Sequence, residues 1–284
     1  MRLAHYDPIR LLHCSCLTSK PQLWLARSAH LPEQSIKKCY VIKLLPDSAS
    51  FIEQCLIQNE IQVMQGLQTP NYHAYWMPLI EAGQGHTDFL QSAQTLHYLV
   101  MPYFECGNLT QALRQNRFSL QQKGRLFLHL LDAIAALHQH NWLHLDLKPS
   151  NILLNSDSIP VLTDFALAQH VMFSQRKKSI RLTQGTPKYM SPEQFLGQPL
   201  NPQTDLYSLG LILYEMLAGK MPYQASSYEG WAVEHCQQAV PLLIEPLAQF
   251  QPLVDGLLAK NRQNRLHDPA QIKNMAKAAF QLNG

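Results

Sequence analysis

Over the first hundred residues apolar positions fall in short runs, and beyond them they fall at helical spacing. Ile9–Cys14, Gln22–Ala26 and Cys39–Leu45 are rich in β-branched and aromatic residues. A turn-like SCLTSKP separates the first two, which predicts an antiparallel meander. The third run, CYVIKLL, holds Lys43 among apolar neighbours, where a lone lysine is ordinarily an edge or snorkelling residue. From Ser50 to Leu67 the pattern changes: Phe51, Leu56, Ile57, Ile61, Met64 and Leu67 make a helical stripe. Glu60 lies beside that stripe, and Glu53 is placed to complement the helix dipole. Trp76–Ile80 and Leu96–Tyr103 read as strands, with GQGHTDFLQSAQ between them as a loop.

After Glu105-Cys106-Gly107 the chain reads as helical, over Leu109–Arg114 and Leu120–His140. A loop, HLDLKPSN (144–151), is broken by Pro149 and leads to a short strand pair at Ile152–Leu154 and Val161–Thr163. A polar segment with Arg176, Lys177, Lys178 and Arg181 has a solvated loop as its ordinary reading. The sequence GTPKYMSPEQ, an apolar helix over Asp205–Ala218, and helices with Pro-rich turns complete the chain, with no internal repeat. The expected class is α+β: a small, mostly β N-terminal lobe (about 1–103) and a larger helical lobe (about 104–284).

Composition narrows the partners. A net charge of +3 over 284 residues carries no footprint for nucleic acid or a membrane surface. No apolar run reaches the roughly 18 residues of a membrane span, and the first ten residues, broken by His, Asp, Pro and Arg, do not read as a secretory signal. Six cysteines without a C-x-x-C pair read as free thiols in a reducing compartment, hence a cytoplasmic protein. His138, His140 and His144 invite a metal reading, but they suit no zincin-like helical pair.

The chemistry concentrates in HLDLKPSN and the Asp164-Phe165-Ala166 that follows. Asp146, Lys148 and Asn151 share one loop, and Asp164 lies eighteen positions after Asp146 at the end of an apolar run. Two carboxylates and a carboxamide converging on one point supply the oxygen ligands that magnesium requires. A carboxylate left free of metal can orient a hydroxyl toward a phosphate.

These residues resemble the eukaryotic-type (Hanks-type) Ser/Thr protein kinases. The matching segments run in that family's order: Val41–Lys43, Glu60, HLDLKPSN, Asp164–Ala166, GTPKYMSPE (185–193), TDLYSLGLILYEML (204–217) and Arg265. The resemblance implies a bilobal kinase fold, ATP with Mg²⁺ (or Mn²⁺) as cofactors, and a protein substrate with a Ser or Thr acceptor. It implies that Lys43 holds the α- and β-phosphates, with Glu60 as its ion-pair partner. It makes Asp146 the catalytic base, Lys148 the neutraliser of the moving γ-phosphate, and Asn151 and Asp164 the metal ligands. Met101 becomes the gatekeeper and Pro102 to Phe104 the hinge, with the Pro102 carbonyl and the Phe104 N–H offered to adenine. Asn108 is implied for the ribose and Leu153 for the nucleotide. Glu193 and Arg265 look like the family's buried ion pair, and Asp205 like the brace of the catalytic-loop backbone. His144 and Phe165 read as packing residues.

Three departures qualify the resemblance. No glycine precedes Gly66, so HCSCLTSK (13–20) stands where a glycine-rich phosphate lid belongs, which predicts weaker nucleotide affinity or a differently shaped lid. Leu145 replaces the arginine that usually precedes the catalytic aspartate, which predicts activity that does not depend strongly on activation-loop phosphorylation. Ala166 replaces a glycine and is expected to restrict switching of the segment. The missing lid glycines favour a pseudokinase, a binding or allosteric module on the same fold, whereas the complete set of polar residues argues for an enzyme. A small-molecule kinase would lack the GTPKYMSPE platform.

Overall fold

The structure, a computed structural model, describes residues 6–13, 20–28, 39–68, 75–87, 94–174 and 185–282. The chain divides into two compact units, 1–105 and 106–284.

The first unit is built on an antiparallel sheet of five strands in the order β1-β2-β3-β5-β4. The predicted meander forms as β1 (Tyr6–His13), β2 (Gln22–Ser28) and β3 (Cys39–Pro46). Helix α1 (Phe51–Gly66) follows, capped by the Ser50 hydroxyl, which accepts the Glu53 N–H at 3.3 Å. Its buried face runs Ile57, Glu60, Val63, Met64 and on to Leu67, whereas Phe51 is 79 % exposed. The inward face is therefore rotated relative to the apolar stripe, and a carboxylate occupies a core position on it.

The fourth strand is not Trp76–Ile80. Strand β4 is Glu81–Thr87, mostly within the segment expected to be a loop, and it pairs with β5 (Gln94–Pro102) from Glu81↔Val100 to Thr87↔Gln94. Trp76, Met77 and Leu79 are buried as core plugs instead, and the Trp76 indole donates to the Leu67 carbonyl at 2.9 Å. Strand β4 pairs with β5 alone at the sheet edge, where polar EAGQGHT suffices and an apolar run is not needed. A Cβ at Gly83 would meet the Tyr98 hydroxyl at 3.2 Å, so glycine suits the cross-strand partner of that ring.

In the second unit α2 (Leu109–Arg114) and α3 (Leu120–Gln139) both begin with capping boxes, at Asn108/Gln111 and Ser119/Gln122. Then come β6 (Trp142–Leu143), a 3-10 turn (Pro149–Asn151), the hairpin β7 (Ile152–Leu154) and β8 (Pro160–Leu162), β9 (Gln169–His170) and α4 (Val171–Ser174). A second 3-10 turn (Pro187–Tyr189) precedes α5 (Pro192–Phe195), α6 (Pro202–Ala218), α7 (Tyr228–Gln237), α8 (Gln251–Leu257) and α9 (Pro269–Phe280). Helix α6 is buried around nearly its whole circumference from Thr204 to Tyr214, as expected of a helix apolar on all sides. Gly210 lets α8 approach it, since a Cβ there would lie 2.7 Å from Leu257 Cβ. Among the described residues no helix is long and apolar enough to cross a membrane.

His235 on α7 is fully buried against the rings of Phe195, Trp231 and Tyr223, with centroids 5.2–5.7 Å away, and its Nδ1 lies 3.0 Å from the Tyr207 hydroxyl. Burial first, and then the Lys260 charge, push its pKa down to about 3, while the backbone at Pro187 and Lys188 pulls weakly the other way. The unfolded chain binds a proton at this histidine near pH 6.5 and the folded chain does not. Its stabilising contribution is therefore complete above pH 6.5 and is lost as the pH falls toward 3. Between pH 7 and pH 5 this site should cost the fold about 2 kcal/mol. Thermal melts at both pH values check this: His235→Phe, though less stable at pH 7, should lose less on acidification. Equal losses in the two proteins would contradict it.

Candidate functional site

In the first unit Lys43 lies on the central strand β3, with Leu23 and Leu99 as its neighbours across the sheet. Its Nζ reaches Glu60 Oε2 at 2.6 Å, and the two side chains are 14 % and 2 % exposed. This pairing explains the carboxylate on the core face of α1, because a buried charge persists when it is paired and hydrogen-bonded. At the end of β5, Met101 is buried and Pro102 faces Tyr40. The next ladder bond runs from the Tyr103 N–H to the Cys39 carbonyl at 3.0 Å, so Pro102 falls where no N–H is required. Among the described residues the Phe104 N–H has no hydrogen-bond partner. Residues 14–19 of the expected lid lie outside the described residues.

In the second unit the catalytic-looking loop closes on itself. Asp146 Oδ2 accepts from Lys148 Nζ at 2.7 Å and from Asn151 Nδ2 at 3.1 Å, and Asn151 Nδ2 also donates to the Asp146 carbonyl at 3.0 Å. Oδ1 accepts from the Thr186 N–H at 3.1 Å and from its hydroxyl at 3.0 Å. Lys148 donates to that same hydroxyl at 2.7 Å, which closes an Asp146–Lys148–Thr186 triangle.

The 3-10 turn at Pro149 carries Asn151 back beneath Asp146. Its carbonyl accepts the Thr163 N–H at 3.0 Å, and the β7–β8 hairpin pairs Ile152 with Leu162, so Asn151 and Asp164 flank the mouth of one hairpin. The Asn151 carboxamide turns its nitrogen toward Asp146, leaving Oδ1 with the Ser150 hydroxyl at 3.4 Å. Asp164 has φ 65°, a left-handed conformation that aspartate tolerates better than most residues. Ala166 is not among the positive-φ residues, so the alanine fits its backbone without strain. Among the described residues no group of three or more His, Cys, Asp or Glu gathers around a point. Asn151 and Asp164 nevertheless fit magnesium, which takes one or two protein ligands and fills its shell with phosphate oxygens and water.

The bracing of this loop lies deeper. Asp205, fully buried on α6, accepts the Leu145 N–H on Oδ1 and the His144 N–H on Oδ2, both at 2.9 Å. His138 Nε2 stands 2.8 Å from the same Oδ2. Burial works against the Asp205 charge, yet the His138 contact, the nearby His144 ring and the Leu145 N–H hold the carboxyl below its usual range. They hold in place a leucine at φ 65°, a conformation that costs about 1–3 kcal/mol outside glycine. The Leu145 carbonyl accepts from Gln194 Nε2 at 3.0 Å, and its side chain is buried. The His144 ring packs on Phe165 at 5.1 Å, and its Nε2 lies 3.2 Å from the Thr163 carbonyl.

Sequence reasoning missed His138 and Gln194 as supports of this loop. The Ser191-Pro-Glu-Gln capping box announces Gln194 as a cap. Its reach to Leu145, 49 positions away, leaves no local signal. Asn108 and Leu153 are brought together as an isolated antiparallel bridge, with Asn108 Oδ1 already accepting the Gln111 N–H at 3.0 Å as the cap of α2.

The comparisons with known proteins agree with this geometry. A family described as "Protein kinase domain" matches residues 29–279. A probable serine/threonine-protein kinase PknB of Lactococcus lactis is 28 % identical over 184 residues, covering 63 % of this chain and 29 % of the relative. Human serine/threonine-protein kinase ULK1 is 32 % identical over 226 residues, covering 75 % and 20 %. Human serine/threonine-protein kinase ULK3 is 32 % identical over 235 residues, covering 81 % and 46 %. The chain thus spans less than half the length of these relatives. The match across 29–279 and the kinds of protein it resembles establish that the chain belongs to the protein kinase family, on its serine/threonine side.

Proposed function

We propose that this chain transfers the γ-phosphoryl group of ATP to serine or threonine hydroxyls of protein substrates. The observation that carries the reading is the Asp146–Lys148–Thr186 triangle, a carboxylate and an ammonium held 2.7 Å apart beside an alcohol that a substrate hydroxyl can displace. In this reading Asp146 accepts the proton of the attacking hydroxyl and Lys148 follows the charge that develops on the transferred group. Lys43, held by Glu60, takes the α- and β-phosphates. The Pro102 carbonyl and the Phe104 N–H receive the adenine beneath Met101, with Asn108 and Leu153 toward the ribose and base. Asn151 and Asp164 would hold the divalent cation, Mg²⁺ or Mn²⁺, which would supply positive charge to neutralise the phosphates.

A cytoplasmic setting belongs to the same reading, supported by Cys39, Cys55, Cys106 and Cys236, all free thiols. The test is transfer of label from ATP to a mixed Ser/Thr/Tyr protein substrate, followed by phosphoamino-acid analysis. Phosphoserine or phosphothreonine, lost on chelation with EDTA, is expected. Label on tyrosine alone, or none with either metal, would refute the reading.

With Leu145 buried where the family carries a phosphate-reading arginine, we further expect little dependence on activation-loop phosphorylation. Ser179 and Thr183 lie outside the described residues. The triple variant Ser174→Ala/Ser179→Ala/Thr183→Ala should retain activity within about threefold, since Leu145 offers no cation to a phosphate. A drop of a hundredfold would show that another cation reads a phosphate there.

A further inference from the structure

A cavity of about 360 Å³ opens in the second unit among α2, α3, the C-terminal end of α6 and the Pro187–Tyr189 turn. Its charged lining is Arg114, Lys123, Lys188 and Glu215. Glu215 is occupied on both oxygens, by Lys188 Nζ at 3.4 Å and by the Tyr189 hydroxyl at 2.6 Å, so it has little to offer an incoming cation. Arg114 and Lys123, by contrast, have no side-chain hydrogen bond or ion pair among the described residues. Burial lowers the Lys123 pKa, as expected of an ammonium without a counter-charge. The wall that carries Lys188 and Tyr189 continues directly from Thr186, which holds Asp146.

We propose that this cavity selects the acceptor protein by binding an anionic side chain, a carboxylate or a phosphorylated residue, near the Ser or Thr that is phosphorylated. The inference rests on the kinase reading above and adds a substrate class to it. Two unpaired cations at a concave site favour an anion and disfavour a basic residue, because like charges would be brought together in a partly desolvated space. The residues concerned are Arg114, Lys123 and Lys188.

Peptides with a single Ser acceptor and Glu, phosphoserine, Ala or Lys at the flanking positions test it. Each is paired with an Ala-acceptor copy whose binding is followed by fluorescence anisotropy. Glu and phosphoserine peptides should react with kcat/KM about tenfold above their Lys counterparts, mainly through KM, and their Ala copies should bind in the same order. That preference should shrink as salt rises. Arg114→Glu/Lys123→Glu should invert the order, and the milder Arg114→Gln/Lys123→Gln should flatten it. Phosphoserine ahead of Glu would support the site and mark its ligand as a previously phosphorylated acceptor. An order unchanged in both double variants, or Lys peptides preferred by the unaltered chain, would overturn the proposal. If no peptide is phosphorylated but the Ala copies keep the charge order, the kinase reading fails and the site stands. If all peptides react and bind equally, the site fails and the kinase reading stands.

Discussion

Replacing Arg265 with alanine is expected to destabilise the fold by about 3–5 kcal/mol, the usual cost of breaking a buried ion pair from one side. All five donor positions of this guanidinium are in use. Its NH1 and NH2 meet Glu193 Oε1 and Oε2 at 2.8 and 3.1 Å, and the remaining donors reach the carbonyls of Gln203, Ala259 and Lys260. The group also lies 4.8 Å over the Tyr207 ring. Burial alone would raise the Glu193 pKa, but Arg265 reverses the shift and holds the carboxyl below its usual range. Alanine would leave that carboxylate buried with the Thr204 hydroxyl as its remaining side-chain donor at 2.9 Å. A melting temperature lower by roughly 10 °C is the expected readout for a chain of this size. Arg265→Lys should fall between, since an ammonium keeps the charge but cannot span both oxygens and the three carbonyls. A loss below about 1 kcal/mol, the range of exposed pairs, would mean that water reaches the site.

The second large effect is expected at Asp205. Asp205→Asn preserves shape, but its carboxamide can present an oxygen on only one side, whereas the carboxylate accepts the His144 and Leu145 N–H groups on separate oxygens. One of those N–H groups would then face an NH₂. With Leu145 already at φ 65°, the loop has a ready route to relax. The displacement would carry Asp146, the next residue, with it. Because about 1 Å of misplacement can cost a hundredfold, kcat should fall by roughly 10² while KM for ATP changes little. Activity within twofold of the unaltered chain would show that Gln194, through the Leu145 carbonyl, holds the loop without the Asp205 carboxylate.

The two units were not equally legible in the sequence. The catalytic loop could be read because its chemistry is local: Asp146, Lys148 and Asn151 span six positions, and a proline forces the turn that brings them together. The Lys43–Glu60 pair came from the family resemblance, since the pattern alone left Lys43 as an ordinary edge or snorkelling residue and did not separate Glu60 from Glu53. The burial of Glu60 on the core face follows from the pairing, not from the pattern. Strand β4 escaped because an edge strand needs no apolar alternation, and the apolar Trp76–Ile80 segment that stood out sends Trp76, Met77 and Leu79 into the core and meets β5 through the Ile80 N–H, which donates to the Val100 carbonyl at 2.9 Å. Likewise Gln194 and His138 act through contacts 49 and 67 positions away, which no local pattern encodes.

The measurement that bears most directly on the chemistry assigned to HLDLKPSN is incorporation of labelled phosphate from ATP with Mg²⁺ or Mn²⁺ by the purified chain, beside an Asp146→Ala variant. A general base contributes about 10²–10⁴ in rate, so the variant should lose nearly all incorporation while its melting temperature stays close to that of the unaltered chain. Equal incorporation by both proteins would contradict the assignment of Asp146, and with it the reading of this loop as a phosphotransferase.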